Sequence, residues 1–440
     1  MKLLFFFIIF LFLNNCSFDN KSGIWKSEDS SYEKKEDILK DFKTLSTEKD
    51  VFNEEIYLSG NINLNIPNKI KNNKWEDIYY NNFNNFDNFS FVGLNNILFK
   101  SRKISKNKPT RFLYDNRNLI TSDEKGNLTI FSIDKNKITT KFNFYKKKHK
   151  KLKKKLNIVV NDGIIFVADN LGFIYAFDYN SRKVLWAKDN KIPFRSNLKV
   201  TKEMLIAADQ NNKIYFFNKI NGNILKLIPT EDTNIKNNFE NNFSFNNESI
   251  FVLNTYGSLY GIDSRNKNVK WVVNLNQSLD INPSNLFNAN EIVSNENFIV
   301  VTSHEATYII NSSNGTINSK FNIISKVKPL ILDNHLFLIS SNNLFVCIDM
   351  KDESIIYSHP INKKISEFLQ IKEKKAQFKS IMVSNNKILI LLYNSYILQL
   401  EFDGKIQNVF KLPTKAFSDL IFIDETILFI NRKNKLVILN

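Results

Sequence analysis

The sequence predicts an all-β protein: an eight-bladed β-propeller of four-stranded antiparallel blades. The first observation is residues 164–186, IIFVADNLGFIYAFDYNSRKVLW, where β-branched and aromatic runs alternate with turn-forming Asp, Asn and Gly. The second is that this pattern recurs eight times with a mean period of about 44 residues, as expected for four strands per blade. The third is that the last copy is one strand short, while an isolated strand of the same kind precedes the first copy.

Each copy is defined by an Asp or Asn that ends its second apolar run. In most copies an aromatic residue lies three positions earlier, and Trp186 and Trp271 lie eight positions later in two of them. The six clearest copies place the defining residue at Asp134, Asp178, Asn218, Asp263, Asn311 and Asp349. Two degenerate copies follow, near Asp403 and at residues 427–440. An irregular β-sandwich is the weaker alternative, because chance similarity would not keep this spacing.

The two ends of the repeat predict how the ring closes. The chain stops at Asn440, a defining position, so the eighth copy lacks its outermost strand. Residues 96–100, NILFK, stand one period before Phe142, and we predict that they complete the eighth blade and so remove its open edge. Trp75 is a weaker candidate for this role, because its spacing to Phe142 does not fit the period.

The amino terminus predicts export. Residues 3–13 are apolar and follow a lysine; this run is too short to span a bilayer comfortably and is typical of a signal peptide. We predict that residues 1–15 are a signal peptide and that the polar residues 16–54 are a flexible tether. Residues 55–94 contain Phe and Trp among many Asn. No motif fixes their position, and we expect an arm against the outside of the propeller, which spans residues 95–440.

Residues 13–17, LNNCS, resemble a bacterial lipobox, in which the cysteine becomes the acylated amino terminus after cleavage. The resemblance implies lipidation at Cys16, and a triacylated cysteine anchors a protein stably to a membrane. The two Asn before Cys16 replace the small residues that are usual there, so a secreted protein or an uncleaved anchor stays as an alternative. Ser17 in place of Asp implies the outer membrane, by the sorting rule of such lipoproteins.

The composition is strongly basic, with 61 Lys and Arg against 44 Asp and Glu. Anionic lipid, acidic partners and nucleic acid are the usual partners of such a surface, although A/T-rich codon usage accounts for part of the Lys and Asn content. The most basic segment is residues 146–155, KKKHKKLKKK. It is either a contact for lipid or lipopolysaccharide phosphate, or for an acidic partner, or else a solvated loop tip. Aromatic interleaving is missing, which argues against nucleic acid.

The loops predict where partners bind. Long loops at residues 229–247, 276–297 and 361–380 lie on a rigid ring, where binding surfaces are usually found. Residues 365–377 predict one or two helical turns. The Asn-Gly pairs at 221–222 and 314–315 predict tight turns between third and fourth strands.

No catalytic or metal-binding constellation is present in the sequence, so we expect no enzyme activity and no cofactor. The four histidines fall at unrelated repeat positions without metal-ligand spacing, and His304-Glu305 reads as a turn variant. No GxSxG, P-loop or GxGxxG motif occurs. The two cysteines, Cys16 and Cys347, form no CxxC, and Cys347 lies in an apolar run that predicts a buried side chain.

The repeats at residues 169–186 and 254–271, of the form D-x-x-G-x-[IL]-Y-[AG]-[FI]-D followed by Trp, resemble those of quinoprotein-type (PQQ-like) propellers. Two groups share them: quinone-cofactor dehydrogenases and the BamB family of outer-membrane β-barrel assembly lipoproteins. The dehydrogenases are longer and carry adjacent cysteines and an acidic calcium site, which this sequence does not have. The BamB family fits better, because its members are lipoproteins of this length whose last blade is completed by an amino-terminal strand.

The BamB resemblance implies a non-catalytic scaffold on the periplasmic face of the outer membrane, which assists assembly and insertion of β-barrel proteins. Its implied partner is the central barrel-inserting protein of that machinery, met by a monomer within a complex. In relatives inter-blade loops form the docking surface; residues 229–247 lie in a comparable part of the ring, but no docking residue can be transferred. The alternative is a periplasmic propeller lipoprotein that binds a glycan or other envelope ligand through its central face.

Overall fold

The computed structural model describes residues 16–18, 25–27, 51–60, 62, 64–93, 96–232, 240–276 and 287–440. The chain forms two units, Met1–Asp50 and Val51–Asn440. In the first unit, the backbones of β1 (Cys16–Phe18) and β2 (Trp25–Ser27) pair antiparallel, with Cys16 opposite Ser27. The predicted signal peptide and most of the predicted tether lie outside the described residues.

The second unit contains eight four-stranded antiparallel sheets among its described residues, as the period predicts. A single strand, β3 (Ile97–Lys103), comes before the first complete blade. Blades one to four follow: β4 (Pro109–Asp115), β5 (Asn118–Asp123), β6 (Asn127–Ser132), β7 (Lys137–Asn143); β8 (Leu156–Asn161), β9 (Ile164–Asp169), β10 (Phe173–Asp178), β11 (Lys183–Asp189); β12 (Lys199–Val200), β13 (Met204–Ala208), β14 (Ile214–Asn218), β15 (Ile224–Ile228); β16 (Asn242–Phe245), β17 (Ser249–Leu253), β18 (Ser258–Asp263), β19 (Val269–Asn274). Blades five to eight follow these: β20 (Val293–Ser294), β21 (Phe298–Thr302), β22 (Thr307–Asn311), β23 (Ile317–Phe321); β24 (Leu330–Leu332), β25 (His335–Ile339), β26 (Leu344–Asp349), β27 (Ser354–Pro360); β28 (Phe378–Ser384), β29 (Lys387–Leu392), β30 (Tyr396–Leu400), β31 (Ile406–Lys411); β32 (Ile421–Ile423), β33 (Thr426–Ile430), β34 (Lys435–Leu439).

Blade eight closes the ring as predicted. The strand order in its sheet is β3-β34-β33-β32, so β3 is the outermost strand and pairs antiparallel with β34. Ile97 faces Leu439 and Phe99 faces Ile438 in this register. The alternative strand around Trp75 is wrong: Trp75 bridges Tyr114 on the first strand of blade one and takes no part in blade eight.

Neighbouring blades are fastened by an aromatic side chain on the fourth strand of one blade and a glycine turn of the next. Trp186 packs against Gly222 and donates its indole N–H to the carbonyl of Lys219 at 2.9 Å. Trp271 packs in the same way against Gly315. Both glycines have positive φ, +70° and +76°, and leave the space that the indole fills. The predicted Asn-Gly turns therefore join third and fourth strands and also receive the side chain of the preceding blade.

The blades twist in a common way. A β-bulge interrupts the pairing of the third and fourth strands in each of blades one to seven, for example between Ala176 and Phe177. Bulges increase the local right-handed twist of a strand pair. The inner strands, in contrast, are buried on both faces: Ile165, Phe166 and Val167 of β9 have no exposed surface. Each blade thus packs on its two neighbours and twists towards its outer edge.

The first part of the arm lies along the outer edge of the propeller, as expected. Ile56 bridges Ser358 on β27, the outermost strand of blade six, and the Phe52 N–H donates to the carbonyl of Asn322, just after the outermost strand of blade five.

The second part of the arm is where the expectation is wrong: residues 70–93 cover one end of the central channel. They are joined by hydrogen bonds to the innermost strand of each of the eight blades or to the residue that follows it. The pairs, from blade one to blade eight, are Trp75 with Tyr114, Glu76 with Val160, Asp77 with Lys199, Asn82 with Phe245, Phe83 with Ser294, Asn85 with Ile331, Phe89 with Val383 and Asn72 with Asp424. Most of these contacts lie at or near the carboxyl ends of the innermost strands, so the arm closes that end of the ring.

The predicted helical turns after blade six are partly correct. The helix α1 (Ile361–Leu369) begins earlier than expected, and the residue that caps its carboxyl end, Gln370, adopts a left-handed conformation with φ of +52°. Residues 370–377 are not helical. The helix is amphipathic, with Ile361 buried.

Candidate functional site

The central channel is closed at one end by the arm and open at the other. Trp75, Tyr79 and Phe86 of the arm form its floor, and the amino-terminal ends of the innermost strands, with the residues leading into them, form its wall. The cavity has a volume of about 1160 Å³, which exceeds the range of most small-molecule sites. The arm therefore converts an open channel into a deep cavity reached from one face.

The cavity is strongly basic. Nine Lys and Arg residues line it, against three residues with carboxylates. Each carboxylate already has a partner: Glu124 lies 3.7 Å from the Lys153 ammonium, Asp419 lies 3.5 Å from the Lys379 ammonium, and Glu291 is hydrogen-bonded to the Tyr79 hydroxyl. Positive charge consequently exceeds the negative charge available within the wall.

Lys328 lies at the bottom of the cavity, just above the arm. Its ammonium donates to the carbonyl of Asn84 and stands 4.0 Å from the ring centroid of Phe86. Burial lowers the pKa of Lys328 to about 8, and among the charges that oppose this fall that of Glu291 acts most strongly. A lysine in this setting is held without an adjacent carboxylate, which costs folding free energy.

A second buried lysine, Lys199, fastens the floor from below. Its ammonium donates to Asp77 at 2.7 Å, to the Asn81 carbonyl at 2.7 Å and to the Asn84 side-chain oxygen at 2.6 Å. Its side chain has no exposed surface. Because all three partners belong to the arm, this residue of blade three ties the arm to the ring and has a structural role.

Three cations from consecutive blades lie close together on one side of the ring, and two of them, Arg111 and Lys155, line the cavity. Arg111 is on β4, Lys155 directly precedes β8, and Arg195 precedes β12. Burial, then the charges of Arg111 and Arg195, lower the pKa of Lys155 to about 8. Glu240 forms an ion pair with Lys155. One guanidinium nitrogen of Arg195 is buried and has no hydrogen-bond partner among the described residues.

The basic segment of residues 146–155 is therefore divided. Lys147 and Lys148 in the turn Lys147–His149 are exposed at the surface, as expected for a solvated loop, whereas His149 is half-buried. Residues 153–155 instead line the channel, and Lys154 is buried, donating to the carbonyl of His149 at 2.6 Å with its ammonium over the Tyr145 ring. The loop-tip alternative is wrong for Lys154, whereas the side chains of Lys153 and Lys155 remain 87% and 53% exposed. The sequence contained one indication of this packing, because Tyr145 lies next to the basic segment and its ring contacts the ammonium of Lys154.

Acidic residues at the turns of the repeat serve the fold. Asp169 accepts backbone N–H groups from Leu171 and Phe173, at 2.8 and 2.9 Å, and the hydroxyl of Tyr145. Burial raises its pKa, and these hydrogen bonds oppose that rise. Asp123 has the equivalent role in blade one, where it accepts from the backbone of Lys125. Their carboxylate oxygens accept hydrogen bonds from the backbone of the turn and are not arranged for acid–base chemistry.

The structure brings none of the remaining candidate residues together. Among the residues that the structure describes, no group of three or more His, Cys, Asp or Glu is close enough to hold a metal ion. Cys347 is buried in β26, as predicted, and burial raises the pKa of its thiol. His304 lies 3.7 Å from Glu305 in an exposed turn. Cys16 is on β1, and its side chain is not among the described parts.

The outer edge of blades two to four carries exposed apolar side chains. They lie on the outermost strands β11, β15 and β19 and are Val184, Leu185, Ile224, Leu225, Leu227, Val269 and Val272. The corresponding strands of blades five to seven expose no large apolar side chain. We refer to the seven residues as the apolar edge. Concentrated exposed apolar surface on one side of a ring is typical of an interaction surface.

These features define a class of protein: an eight-bladed propeller of quinoprotein-type repeats with a plugged basic channel and an apolar outer edge. No helix in the described part of the chain is long and apolar enough to cross a membrane. The family model described as outer membrane protein assembly factor BamB matches residues 110–359, more than half of the chain. The protein belongs to this family.

Comparison with solved structures supports the fold. BamB from Moraxella catarrhalis is similar with a TM-score of 0.59 and 9% sequence identity, over 78% of this chain and 99% of that one. The computationally designed Ika8 protein has a TM-score of 0.57 and 9% identity, over 78% and 99% of the two chains. The quinohemoprotein alcohol dehydrogenase from Comamonas testosteroni has a TM-score of 0.58 and 8% identity, over 83% and 80%. No curated protein sequence matches this chain.

Proposed function

We propose that this protein is a non-catalytic scaffold lipoprotein that assists the assembly and insertion of β-barrel proteins into the outer membrane. Membership of the BamB family is the observation that carries this proposal. The protein acts on the periplasmic face, as a monomer within a complex, and docks to the central barrel-inserting protein of the assembly machinery. It needs no cofactor for this role.

In this proposal the anchor is a lipidated Cys16, exposed by removal of residues 1–15. Mass spectrometry of the mature protein from membranes is expected to show an amino-terminal cysteine that carries acyl chains. The Cys16→Ser variant is expected to move from the membrane fraction to the soluble or unprocessed fraction. Retention of unmodified full-length protein in the membrane would instead indicate an uncleaved anchor.

We further propose that the apolar edge is the docking surface. Leu225 and Leu227 are exposed on β15, which is the free edge strand of its sheet. A free edge offers unpaired backbone N–H and C=O groups beside apolar side chains, so an extended segment of a partner can add to the sheet. The loop after β15 is one of the long loops expected to bind partners.

A crosslinked pull-down from native membranes tests both the partner and the surface. Wild-type protein is expected to recover the central barrel-inserting protein, and the L225D/L227D variant is expected to lose at least about 90% of it, because a buried charge without a partner costs several kcal/mol. The matched control is Ile138→Asp, an equally exposed apolar residue on the outermost strand of blade one. Equal recovery with L225D/L227D would refute the assigned surface.

Depletion of the protein tests the cellular role. Lower porin levels and a more permeable envelope are expected when the protein is removed. Unchanged porin levels, with recovery of envelope glycans in the pull-down, would instead favour the alternative of a ligand-binding propeller that uses its open central face.

A further inference from the structure

We propose that the plugged central channel binds a phosphate-bearing anion, a group with at least two negative charges that enters from the open face and stops above the arm. The proposal is independent of the docking role of the apolar edge. It rests on three observations: the cavity is closed at one end, its cations come from several blades, and two of these cations have no carboxylate partner.

The cations converge on the cavity from opposite sides of the ring. Arg111 and Lys155 belong to blades one and two, whereas Lys328 and Lys379 belong to the entry of blade six and to blade seven. Each blade alone would present an ordinary surface charge. The ring brings these charges around one cavity with low-dielectric walls, where they strengthen one another's attraction for an anion.

Two of these cations have no carboxylate partner. Among the described residues, no carboxylate oxygen lies within 4.0 Å of the Arg111 guanidinium or the Lys328 ammonium. Lys328 is only partly exposed, and it lines the cavity, so its accessible surface faces the channel. Burial holds its pKa near 8. A bound anion would supply the counter-charge that the protein itself does not provide.

The arrangement favours phosphate over a single carboxylate. Arg111 presents a planar fork that can bind two oxygens, and Lys328 presents a point charge from another direction. A tetrahedral phosphate dianion accepts hydrogen bonds from several directions at once. It can therefore bind cations that approach it from different sides of a ring. The floor adds an apolar surface beside the charges, since Tyr79 and Phe86 line the cavity. An organic phosphate is therefore accommodated as well as the inorganic group.

The test uses inorganic pyrophosphate as the probe and the folded, full-length protein in calorimetric titrations. Wild-type protein is expected to bind one pyrophosphate, with affinity that falls as salt concentration rises. The R111Q/K328M variant is expected to bind roughly 100-fold more weakly, about tenfold for each lost charged contact. The matched control is K137Q/K141Q, which removes two exposed lysines from the outer strand of blade one and is expected to stay within about twofold of wild type.

The source of the phosphate is distinguished by flotation with vesicles of phosphatidylglycerol, compared with vesicles of phosphatidylcholine. Weaker flotation of R111Q/K328M than of K137Q/K141Q on phosphatidylglycerol would support a lipid head group as the ligand. Equal flotation of these two variants, with pyrophosphate binding lost only in R111Q/K328M, would support a free organic phosphate.

Other results would overturn the proposal. The first is a flat pyrophosphate titration for wild-type protein together with flotation that the channel variant does not change. The second is equal pyrophosphate binding by R111Q/K328M and K137Q/K141Q. The third is tighter binding of a hexaglutamate peptide than of pyrophosphate, which would assign the cavity to acidic peptides. Thermal melting of every variant verifies that each remains folded.

Discussion

The buried contact between Lys199 and the arm is expected to be a main source of the stability of the plug. In Lys199→Met, Asp77 loses the cation at 2.7 Å, and the carbonyl of Asn81 and the side-chain oxygen of Asn84 lose their donor. The Asp77 carboxylate keeps the backbone N–H of Tyr79, at 2.8 Å. Removing one member of a buried ion pair costs about 3–5 kcal/mol, because the other charge stays buried without compensation.

A double-mutant cycle separates the charge from the packing. K199M/D77L removes both charges and is expected to cost no more than about 2 kcal/mol, so the two substitutions are coupled by at least ~1 kcal/mol. Lys71→Met is the matched control. Lys71 is an exposed residue of the same arm, and its ammonium lies 3.5 Å from the carboxylate of Glu425 in blade eight. This exposed pair is expected to contribute about 0–1 kcal/mol.

Urea unfolding followed by tryptophan fluorescence measures the free energies, and limited proteolysis of residues 70–93 measures local release of the arm. Lys199→Met is expected to expose the arm to protease before the propeller unfolds. A loss below about 1 kcal/mol for Lys199→Met, or a double variant as unstable as the sum of the single ones, would refute the reasoning that the buried pair holds the plug.

Three further predictions concern the ring and its floor. Gly222→Ala is expected to cost about 2–4 kcal/mol, because the new Cβ would lie 2.5 Å from Trp186 at a φ of +70°; Gly60→Ala, with φ of +99° and open space, is expected to cost less in the same thermal-melting series. Phe89→Ala removes a fully buried ring from the arm and is expected to cost about 3–5 kcal/mol in urea unfolding, with early proteolysis of the arm. Lys328, whose pKa falls from 10.5 in an unfolded chain to about 8, makes stability rise as pH increases from 8 to 10.5, by up to about 3 kcal/mol, because the unfolded chain then holds a proton that the folded one has released. Lys328→Met is expected to remove this rise and to be more stable than wild type at pH 7; an unchanged pH dependence of the urea midpoint would contradict this.

The ring could be predicted from the sequence because its information is local and repeated. Each blade repeats the same runs and turns, so the period reveals the blades even where single copies are degenerate. The missing strand of the last copy, together with NILFK at residues 96–100, was sufficient to predict the closure of blade eight. The Asn-Gly turns were equally local signals, although their role as receivers of Trp186 and Trp271 depends on the neighbouring blade.

The floor of the channel could not be predicted, because its contacts have no period and join distant residues. The side chain of Asn72 donates to the carbonyl of Phe422, 350 positions away, and the side chain of Asn84 donates to the carbonyls of Phe243 and Ile292. An Asn-rich segment with such partners resembles a loop in sequence. Lys199 likewise resembles any surface lysine, since only the arm that covers it makes it buried. Residue propensities and sequence patterns predict single strands and turns. The burial and partners of these residues depend instead on contacts between elements that are distant in sequence.

The closure of the propeller has a consequence for the order in which the chain folds. Blade eight is built from β3 and β32–β34, and the side chain of Ser101 accepts the backbone N–H of Leu436, 335 positions later. The arm also needs blade eight, since the Asp424 N–H donates to the carbonyl of Asn72. During synthesis, β3 and the arm must therefore wait until blade eight has been made. A chain that ends before blade eight would leave β3 unpaired and the arm without its contacts to that blade, and we expect such a chain to be prone to aggregation and proteolysis.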